Sequence, residues 1–176
     1  MTNSFIMTAF GKDRAGIVAD ATRLLYENDC NLQDTTMSML ADEFTLSLLF
    51  SSQQANIEEL LAKECRRLEL DKGISAFVRP IQPAQEKVKA SYKTCTLRIE
   101  GLDQAGIVYK TSQFLADHKL SIIQLDSAAS ASPQSGATIY SMTISVNVPE
   151  DYPFSQLEDE LSTVADELNV DISMDR

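Results

Sequence analysis

The sequence lacks most of the side chains and segments that common catalytic, metal-binding and membrane functions require. Its 176 residues include one histidine, three cysteines and no tryptophan. The cysteines, Cys30, Cys65 and Cys95, are odd in number and lack metal-ligand spacing, so we interpret them as reduced core thiols of a cytoplasmic protein. Apolar runs reach about six residues, whereas a transmembrane helix needs roughly 20. The N-terminus also lacks the pattern of a secretory signal.

The single histidine argues against catalysis. His118 falls near the C-terminal end of a predicted helix, where a cationic side chain favours the helix dipole. A Ser-His-Asp or Cys-His arrangement would have to use it, and no nucleophile-elbow, phosphate-loop or G-x-G-x-x-G motif is present. We therefore predict that the protein is not an enzyme and has no cofactor or metal. The acidic runs Glu58-Glu59 and Glu158-Asp159-Glu160 are interpreted as solvated helix faces.

Basic residues are also few. The chain has 15 Lys and Arg against 26 Asp and Glu, a net charge of −11, and neither half carries a basic stripe. Because basic contacts to phosphates supply most of the non-specific affinity for nucleic acid, direct binding of DNA or RNA is not expected. Adhesion to an anionic membrane is excluded for the same reason.

What the sequence does contain is an internal repeat. The stretch from Asp13 to Val18 recurs from Asp103 to Val108 with five of six residues identical, at an offset of 90 residues. This offset is the length of a small domain rather than of a solenoid repeat. We therefore predict two domains, residues 1–81 and 92–176, joined by a linker at residues 82–91.

Both modules show the same succession of strand and helix patterns. Alternating apolar residues predict strands, and apolar residues at helical spacing predict two helices per module, in the order βαββαβ. The core-facing stripe of the first helix is predicted to begin at Val18 in the first module and at Val108 in the second. Asp13 is predicted to cap the first helix, Ala41-Asp42 to form a tight turn, and Gly73 to end the second helix. The fourth strand is predicted to stop before Pro80. This order gives an α+β, ferredoxin-like fold, with two helices on one face of a four-stranded antiparallel sheet. Residues 127–137, rich in Ser, Ala, Pro and Gly, are expected to form a mobile loop. That loop is either a tolerated insertion or a lid or partner contact.

The repeated motif lies where a strand leads into a helix. The unpaired N–H groups of a helix N-terminus bind carboxylates, and Gly16 and Gly106 allow a ligand to approach the backbone closely. Asp13 and Asp103 can pair with an ammonium group, so the loop suits an α-amino acid. The alternative is that Asp and Gly merely begin the helix, because a duplication preserves structural residues as well as functional ones.

These residues also resemble a known family. The stretch from Gly11 to Val18, followed by Asn31 and Leu32, is similar to an ACT domain, as is the stretch from Gly101 to Val108, followed by Ser121 and Ile122. The tandem arrangement and the length resemble the glycine cleavage system transcriptional repressor family.

The resemblance implies a non-enzymatic regulator that binds a small amino acid, expected to be glycine, at interfaces between domains. It also implies a co-regulator of glycine cleavage that acts through a DNA-binding protein partner. The ligand-binding residues that it implies are Asp13, Ala15, Gly16, Ile17, Asn31 and Leu32, and in the second module Asp103, Ala105, Gly106, Ile107, Ser121 and Ile122.

The chain departs from the family pattern in two places. Ala15 and Ala105 stand where the family often has proline, which loosens the loop and keeps its backbone donors. Ser121 reaches less far than Asn31, so the second site is expected to be weaker or altered.

Two other functions stay open: an amino-acid-binding regulatory subunit that controls a metabolic enzyme, and a purely structural dimerisation module. A regulator of transcription and an enzyme subunit differ in the protein that accompanies the chain, while a structural module would bind no amino acid. A homodimer is compatible with the exposed edge strands that this fold leaves.

Overall fold

The computed structural model describes residues 3–81, 91–133 and 136–175 of the chain. The chain folds as two compact units, Met1–Glu86 and Lys87–Arg176. All of the predicted linker except Ser91 lies outside the described residues, so the linker stays a prediction.

Each unit contains four strands and two helices in the predicted βαββαβ order, which confirms the fold class. The sheets are antiparallel, with strand orders β2-β3-β1-β4 and β6-β7-β5-β8. The elements of the first unit are β1 Asn3–Lys12, α1 Ile17–Glu27, β2 Asn31–Leu40, β3 Glu43–Ser52, α2 Ile57–Lys72 and β4 Ser75–Ile81. Those of the second are β5 Tyr92–Leu102, α3 Ile107–Asp117, β6 Ser121–Ala131, β7 Thr138–Pro149, α4 Phe154–Leu168 and β8 Val170–Asp175.

Strand alternation builds each core between one sheet face and two helices. In the first unit Met7 pairs with Leu48, and both side chains are fully buried. In the second unit Leu97 pairs with Ile144 in the same way. Burying a side chain of this size stabilises the fold by about 1.5–3 kcal/mol. Residues on the other face, such as Thr45 and Ser47 of β3, are exposed.

The buried stripe of the first helix differs from the prediction by one residue. Val18 and Val108 were predicted to face the core, yet they are exposed, whereas Ile17 and Ile107 are buried. The helices begin only at these isoleucines, one residue after the glycines, which sets the rotation of the whole helix.

The prediction that the fourth strand stops before Pro80 is wrong. β4 continues to Ile81, and Pro80 pairs with Phe5. Proline lacks a backbone N–H, but β4 is an edge strand, and a proline whose nitrogen faces away from the sheet costs no ladder hydrogen bond.

The predicted loop at residues 127–137 is in large part strand. Residues 127–131 continue β6 and pair with residues 138–142 of β7, so the connection is limited to residues 132–137. Within it, the N–H of Ser132 donates to the carbonyl of Ala137 at 2.8 Å. Sheet hydrogen bonds therefore override a Ser- and Ala-rich composition here. In the first unit the corresponding turn is Ala41-Asp42, as predicted.

β2 and β6 are edge strands whose residues are all exposed. Each has a bulge near its start, between Leu32 and Asp34 in β2 and between Ile122 and Gln124 in β6. A bulge bends a strand and changes the direction of its side chains. Because it recurs at the same offset of 90 residues, it belongs to the module.

Two of the three thiols are buried, in agreement with their interpretation as core residues. Cys65 and Cys95 belong to the cores of the first and second units, and Cys30 is half-buried beside the first. Burial raises the pKa of Cys65 to about 11. A thiol with a raised pKa is a poor nucleophile at neutral pH.

Candidate functional site

The strand-to-helix loop has the same backbone in both units, and a glycine rather than the aspartate ends it. Gly16 precedes α1 with φ 86°, and Gly106 precedes α3 with φ 100°. The prediction that Asp13 caps the helix is wrong. Its N–H instead donates to the carbonyl of Asp42 at 2.8 Å, so the residue still belongs to the sheet end of the loop. In the second unit the N–H of Asp103 donates to Thr138 at 3.0 Å.

Both glycines border open space. A Cβ atom added to Gly16 or Gly106 would meet no atom within 4 Å among the described residues, so glycine is required for its positive φ and not for room. In the part of the chain that the structure describes, no side chain caps α1 or α3. The N–H of Ile17 donates to the carbonyl of Arg14 at 3.4 Å. No described side chain competes with an outside acceptor, such as a carboxylate, for the other first-turn amides.

The predicted residues of this loop differ in what they can offer. Asp13, Ala15 and Gly16 are exposed, and so are Asp103, Ala105 and Gly106. Ile17 and Ile107 are 3% and 1% exposed and pack in the two cores. Only the backbone of these isoleucines can reach a ligand.

An ion-pair cluster stabilises the loop of the first unit. The sequence analysis did not predict it. The guanidinium of Arg14 contacts the carboxylate of Asp20 at 2.6 Å, and the ammonium of Lys72 lies 3.6 Å from the same carboxylate. The hydrogen bond from Arg14 lowers the pKa of Asp20. The loop is thereby joined to the first turn of α1 and to the last residue of α2.

In the second unit a neutral side chain holds the equivalent loop. The side-chain amide of Gln104 donates to the carbonyl of Leu168, the last residue of α4. Arg14 and Gln104 are the one pair that differs between the two copies of the motif. That difference marks the position at which the two loops diverge, but it does not identify the partners Asp20 and Leu168.

The other half of the predicted site lies elsewhere in each unit. Asn31 and Leu32 begin β2, and Asn31 pairs with Ser51, whereas the loop adjoins Asp42. Helix α1 separates the two places, and its eleven residues span about 16 Å. Ser121 and Ile122 are related to the second loop in the same way across α3. A single unit therefore does not bring the two halves of its predicted site together.

Asn31 instead lies in a polar depression of about 950 Å³, including its open side, at the far end of the first unit. Ser51 and Ser52 are buried beside it, and the side-chain amide of Gln54 donates to the carbonyl of Asn28 at 3.2 Å. These residues were also missed, because only the pairing of β2 with β3 places them next to Asn31.

His118 ends α3 and contacts a second helix. Its Nδ1 lies 2.8 Å from the carbonyl of Phe114, and its Nε2 lies 2.5 Å from a carboxylate oxygen of Glu160 on α4. Glu160 is therefore more than a solvated residue. The bond to the Phe114 carbonyl, followed by the carboxylate of Glu160, raises the pKa of His118.

Two further structural findings concern only the described residues. No group of three or more His, Cys, Asp or Glu side chains among them could hold a metal ion. Similarly, none of the helices in residues 3–81, 91–133 and 136–175 has the length and apolar character to cross a membrane.

Comparisons with known proteins agree with this architecture. The ACT domain model matches residues 3–76. A UPF0237 protein of Neisseria meningitidis serogroup B is 34% identical over 74 residues, which are 39% of this chain and 82% of that protein.

Other relatives extend over both units. The glycine cleavage system transcriptional repressor of Escherichia coli is 26% identical over 170 residues, covering 93% of this chain and 85% of that one. An unknown protein from Galdieria sulphuraria has a TM-score of 0.80 at 26% identity, covering 99% of this chain and 98% of that chain. A protein provisionally named as a glycine cleavage system transcriptional repressor has a TM-score of 0.70 at 26% identity, covering 99% and 97%. The chain belongs to the ACT-domain family through its first unit, and it resembles the glycine cleavage system transcriptional repressor over nearly its whole length.

Proposed function

We propose that the protein is a non-enzymatic regulator that binds a small amino acid, glycine in the first instance, at its strand-to-helix glycine loops. The observation that carries this proposal is the doubled loop itself. In both units an exposed glycine with positive φ precedes a helix that no described side chain caps.

The chemistry of the loop matches both ends of an amino acid. The first-turn amides and the helix dipole favour the carboxylate. The exposed carboxylate of Asp13 or Asp103 is available to the ammonium group. Glycine is proposed first because the relatives that extend over both units are named for glycine cleavage.

Asn31 and Leu32, or Ser121 and Ile122, join such a site only if another module, of the same chain or of a second copy, contributes them. The two halves lie at opposite ends of α1, so two modules side by side in opposite directions would bring one loop to one strand start. The exposed β2 strand supports such pairing, because its outer N–H and C=O groups can accept another strand. We therefore propose a homodimer as the ligand-binding form.

The regulated process is proposed from the relatives. A protein named as a transcriptional repressor aligns with 93% of this chain. With a net charge of −11 the chain is poorly suited to hold DNA directly. We propose that it acts on glycine cleavage genes through a DNA-binding protein partner.

Thermal unfolding of the full chain with glycine, serine and other common amino acids at millimolar concentration tests the sensor. A ligand at 100 times its dissociation constant stabilises the fold by about 2.7 kcal/mol, so a clear rise in Tm is expected. No rise with any amino acid would refute the sensor and favour a structural dimerisation module.

A pair of glycine variants tests the place of binding. Gly16→Val strains a residue at φ 86° and covers the first-turn amides, so the ligand-induced rise should be lost or reduced. Gly73→Val is the matched control, because Gly73 has φ 67° and open space around it but ends α2. The control should keep the rise. A rise that survives in Gly16→Val and Gly106→Val together would put the site elsewhere.

DNA binding is tested separately from ligand binding. The chain alone should not retain duplex DNA on a filter at 50 mM salt, where electrostatic attraction is strongest. Retention there would contradict action through a partner. Co-purification with a metabolic enzyme in place of a DNA-binding protein would favour the enzyme-subunit function.

A further inference from the structure

The acidic charge of the chain is concentrated in one region of the second unit. Between the end of β7 and the end of β8, residues 150–175 contain nine acidic residues and no lysine, arginine or histidine. The matching region of the first unit, residues 53–81, contains five acidic and five basic residues. The same helix and strand are therefore neutral in one unit and strongly negative in the other.

This acidic region surrounds a groove with an apolar floor. The groove lies between α4 and β8 and has a volume of about 750 Å³, including its open side. The lining is mostly polar and combines two sets of side chains: the apolar Leu161, Ile172 and Met174, here called the floor, and the acidic Glu158, Asp166 and Asp171, here called the rim. Ile172 and Met174 pair with Ile99 and Leu97 on the core side of the sheet, yet they are only half-buried. They form an open margin of the second core.

β8 also has an open backbone edge. It is the last strand of its sheet and pairs with β5 alone within the described residues. The corresponding strand of the first unit carries Arg79 and Pro80, residue types that discourage the addition of another strand. β8 contains no proline and no basic residue.

We infer that the groove between α4 and β8 docks a basic, extended segment of a partner protein, which adds to the edge of β8. Apolar side chains of that segment would enter the groove, and its lysines or arginines would meet the acidic rim. Strand addition of this kind derives affinity from backbone hydrogen bonds and specificity from side-chain pockets. The inference deepens the proposed function and rests on it for the existence of a protein partner.

Electrostatic complementarity determines which kind of partner the groove can bind. Asp175, Glu167 and Glu160 pair with Arg98, Lys110 and His118, and the remaining negative charge of the region would repel a nucleic acid. A second copy that presented the same acidic groove would be repelled as well, whereas the homodimer proposed above pairs through β2. A basic peptide segment is the occupant for which both the rim and the floor are complementary.

The test uses the full chain and three synthetic ten-residue peptides: alternating lysine and valine, alternating lysine and glycine, and alternating glutamate and valine. Amide NMR shifts locate binding, and fluorescence anisotropy at 0.15 M salt measures affinity. The lysine–valine peptide should shift the amides of α4 and β8 and slow the hydrogen exchange of β8. Shifts centred on α2 and β4 would overturn the inference.

A triple variant removes the charge of the rim. Glu158→Gln, Asp166→Asn and Asp171→Asn together should weaken binding of the lysine–valine peptide about tenfold, as expected for three partly exposed ion pairs. The matched control, Glu58→Gln with Glu59→Gln and Glu64→Gln, removes three carboxylates from α2 and should leave the affinity unchanged. Equal weakening by both variants would reduce the effect to net charge and overturn the inference.

Two further comparisons test the floor and the occupant. If the lysine–glycine peptide binds as tightly as the lysine–valine peptide, the apolar floor is irrelevant and the docking inference fails. Concentration-dependent shifts of α4 and β8 amides in the chain alone would assign the groove to a second copy instead. None of these measurements requires an amino-acid ligand, so they can succeed even if the thermal-shift screen fails.

Discussion

The two units share one fold and differ in the side-chain contacts that hold their helices and loops in place. In the first unit charged side chains hold the glycine loop, whereas a neutral amide holds it in the second. At the C-terminal end of the first helix the neutral contact is in the first unit and the titratable one is in the second. Asn28 donates to the carbonyl of Leu24 at 2.7 Å, and the equivalent His118 joins two helices through a titratable ring. The fold therefore tolerates different side-chain chemistry at equivalent positions of its two units.

The largest expected effect concerns a glycine that both units place near the end of their first strand. A Cβ atom on Gly11 would lie 2.9 Å from the backbone carbonyl of Gly73, and one on Gly101 would lie 2.7 Å from the Val170 side chain. Gly11→Ala should destabilise the first unit by about 2–3 kcal/mol. Gly101→Ala should cost less, since rotation of Val170 relieves its closest contact, while its Cα and Cβ stay 3.1 Å from the added atom. Urea unfolding followed by amide signals of each unit measures both. A larger loss for Gly101→Ala would show that the carbonyl yields more readily than the valine.

The next effect is a dependence on pH that only the second unit should show. Both ring nitrogens of His118 face acceptors, so only the protonated ring can donate to Phe114 and Glu160 together. The pKa of His118 is raised above 6.5, so its stabilisation is complete below that pH and is lost as the pH rises through the raised value. The pKa of Glu160 is lowered from 4.5, chiefly by the amide of Gln156 and then by His118, so its share is lost only in more acidic solution.

His118→Asn, which installs the residue of the first unit, should therefore destabilise the second unit by up to about 1 kcal/mol at pH 6. At pH 9 the loss should be smaller. The comparison is made by hydrogen exchange of α3 amides at the two pH values. Asn28→Ala in the first unit is the control and should show no such difference. An equal loss at both pH values would mean that the ring is not charged in the folded protein.

The smallest expected effect concerns the ion pairs of the first loop. Arg14→Gln replaces the charged fastening with the residue of the second unit, and should lower Tm by a few degrees at most at low salt. At 1 M salt, where screening acts within about 3 Å, the difference should largely vanish. Thermal unfolding at both salt concentrations measures it, and Gln104→Glu provides the counterpart. A loss independent of salt would mean that Arg14 acts through packing.

Much of the fold could be predicted because its signals are local. Alternation, helical spacing, the Ala41-Asp42 turn and Gly73 at the end of α2 depend on neighbours within a few residues. The wrong predictions concern residues whose structure depends on partners that are distant in the sequence. Pro80 is tolerated because β4 is an edge strand, and residues 127–131 are strand because β7 pairs with them.

The candidate site shows the same division. The glycine loop was found from the repeat, and Gly16 and Gly106 adopt the positive φ that glycine tolerates most readily. The contacts of Asp20 with Arg14 and Lys72 and of His118 with Glu160 could not be found in this way. They join residues separated by up to 52 positions, as between Asp20 and Lys72, and a sequence pattern does not give such distances.

The position of Asn31 at the opposite end of α1 from Gly16 has a consequence for titrations. A ligand that needs both residues from two molecules stabilises an assembly rather than a fold, so its apparent affinity depends on protein concentration. Dilution would then release the amino acid at constant ligand concentration, and the molecule would report its own abundance together with that of its ligand.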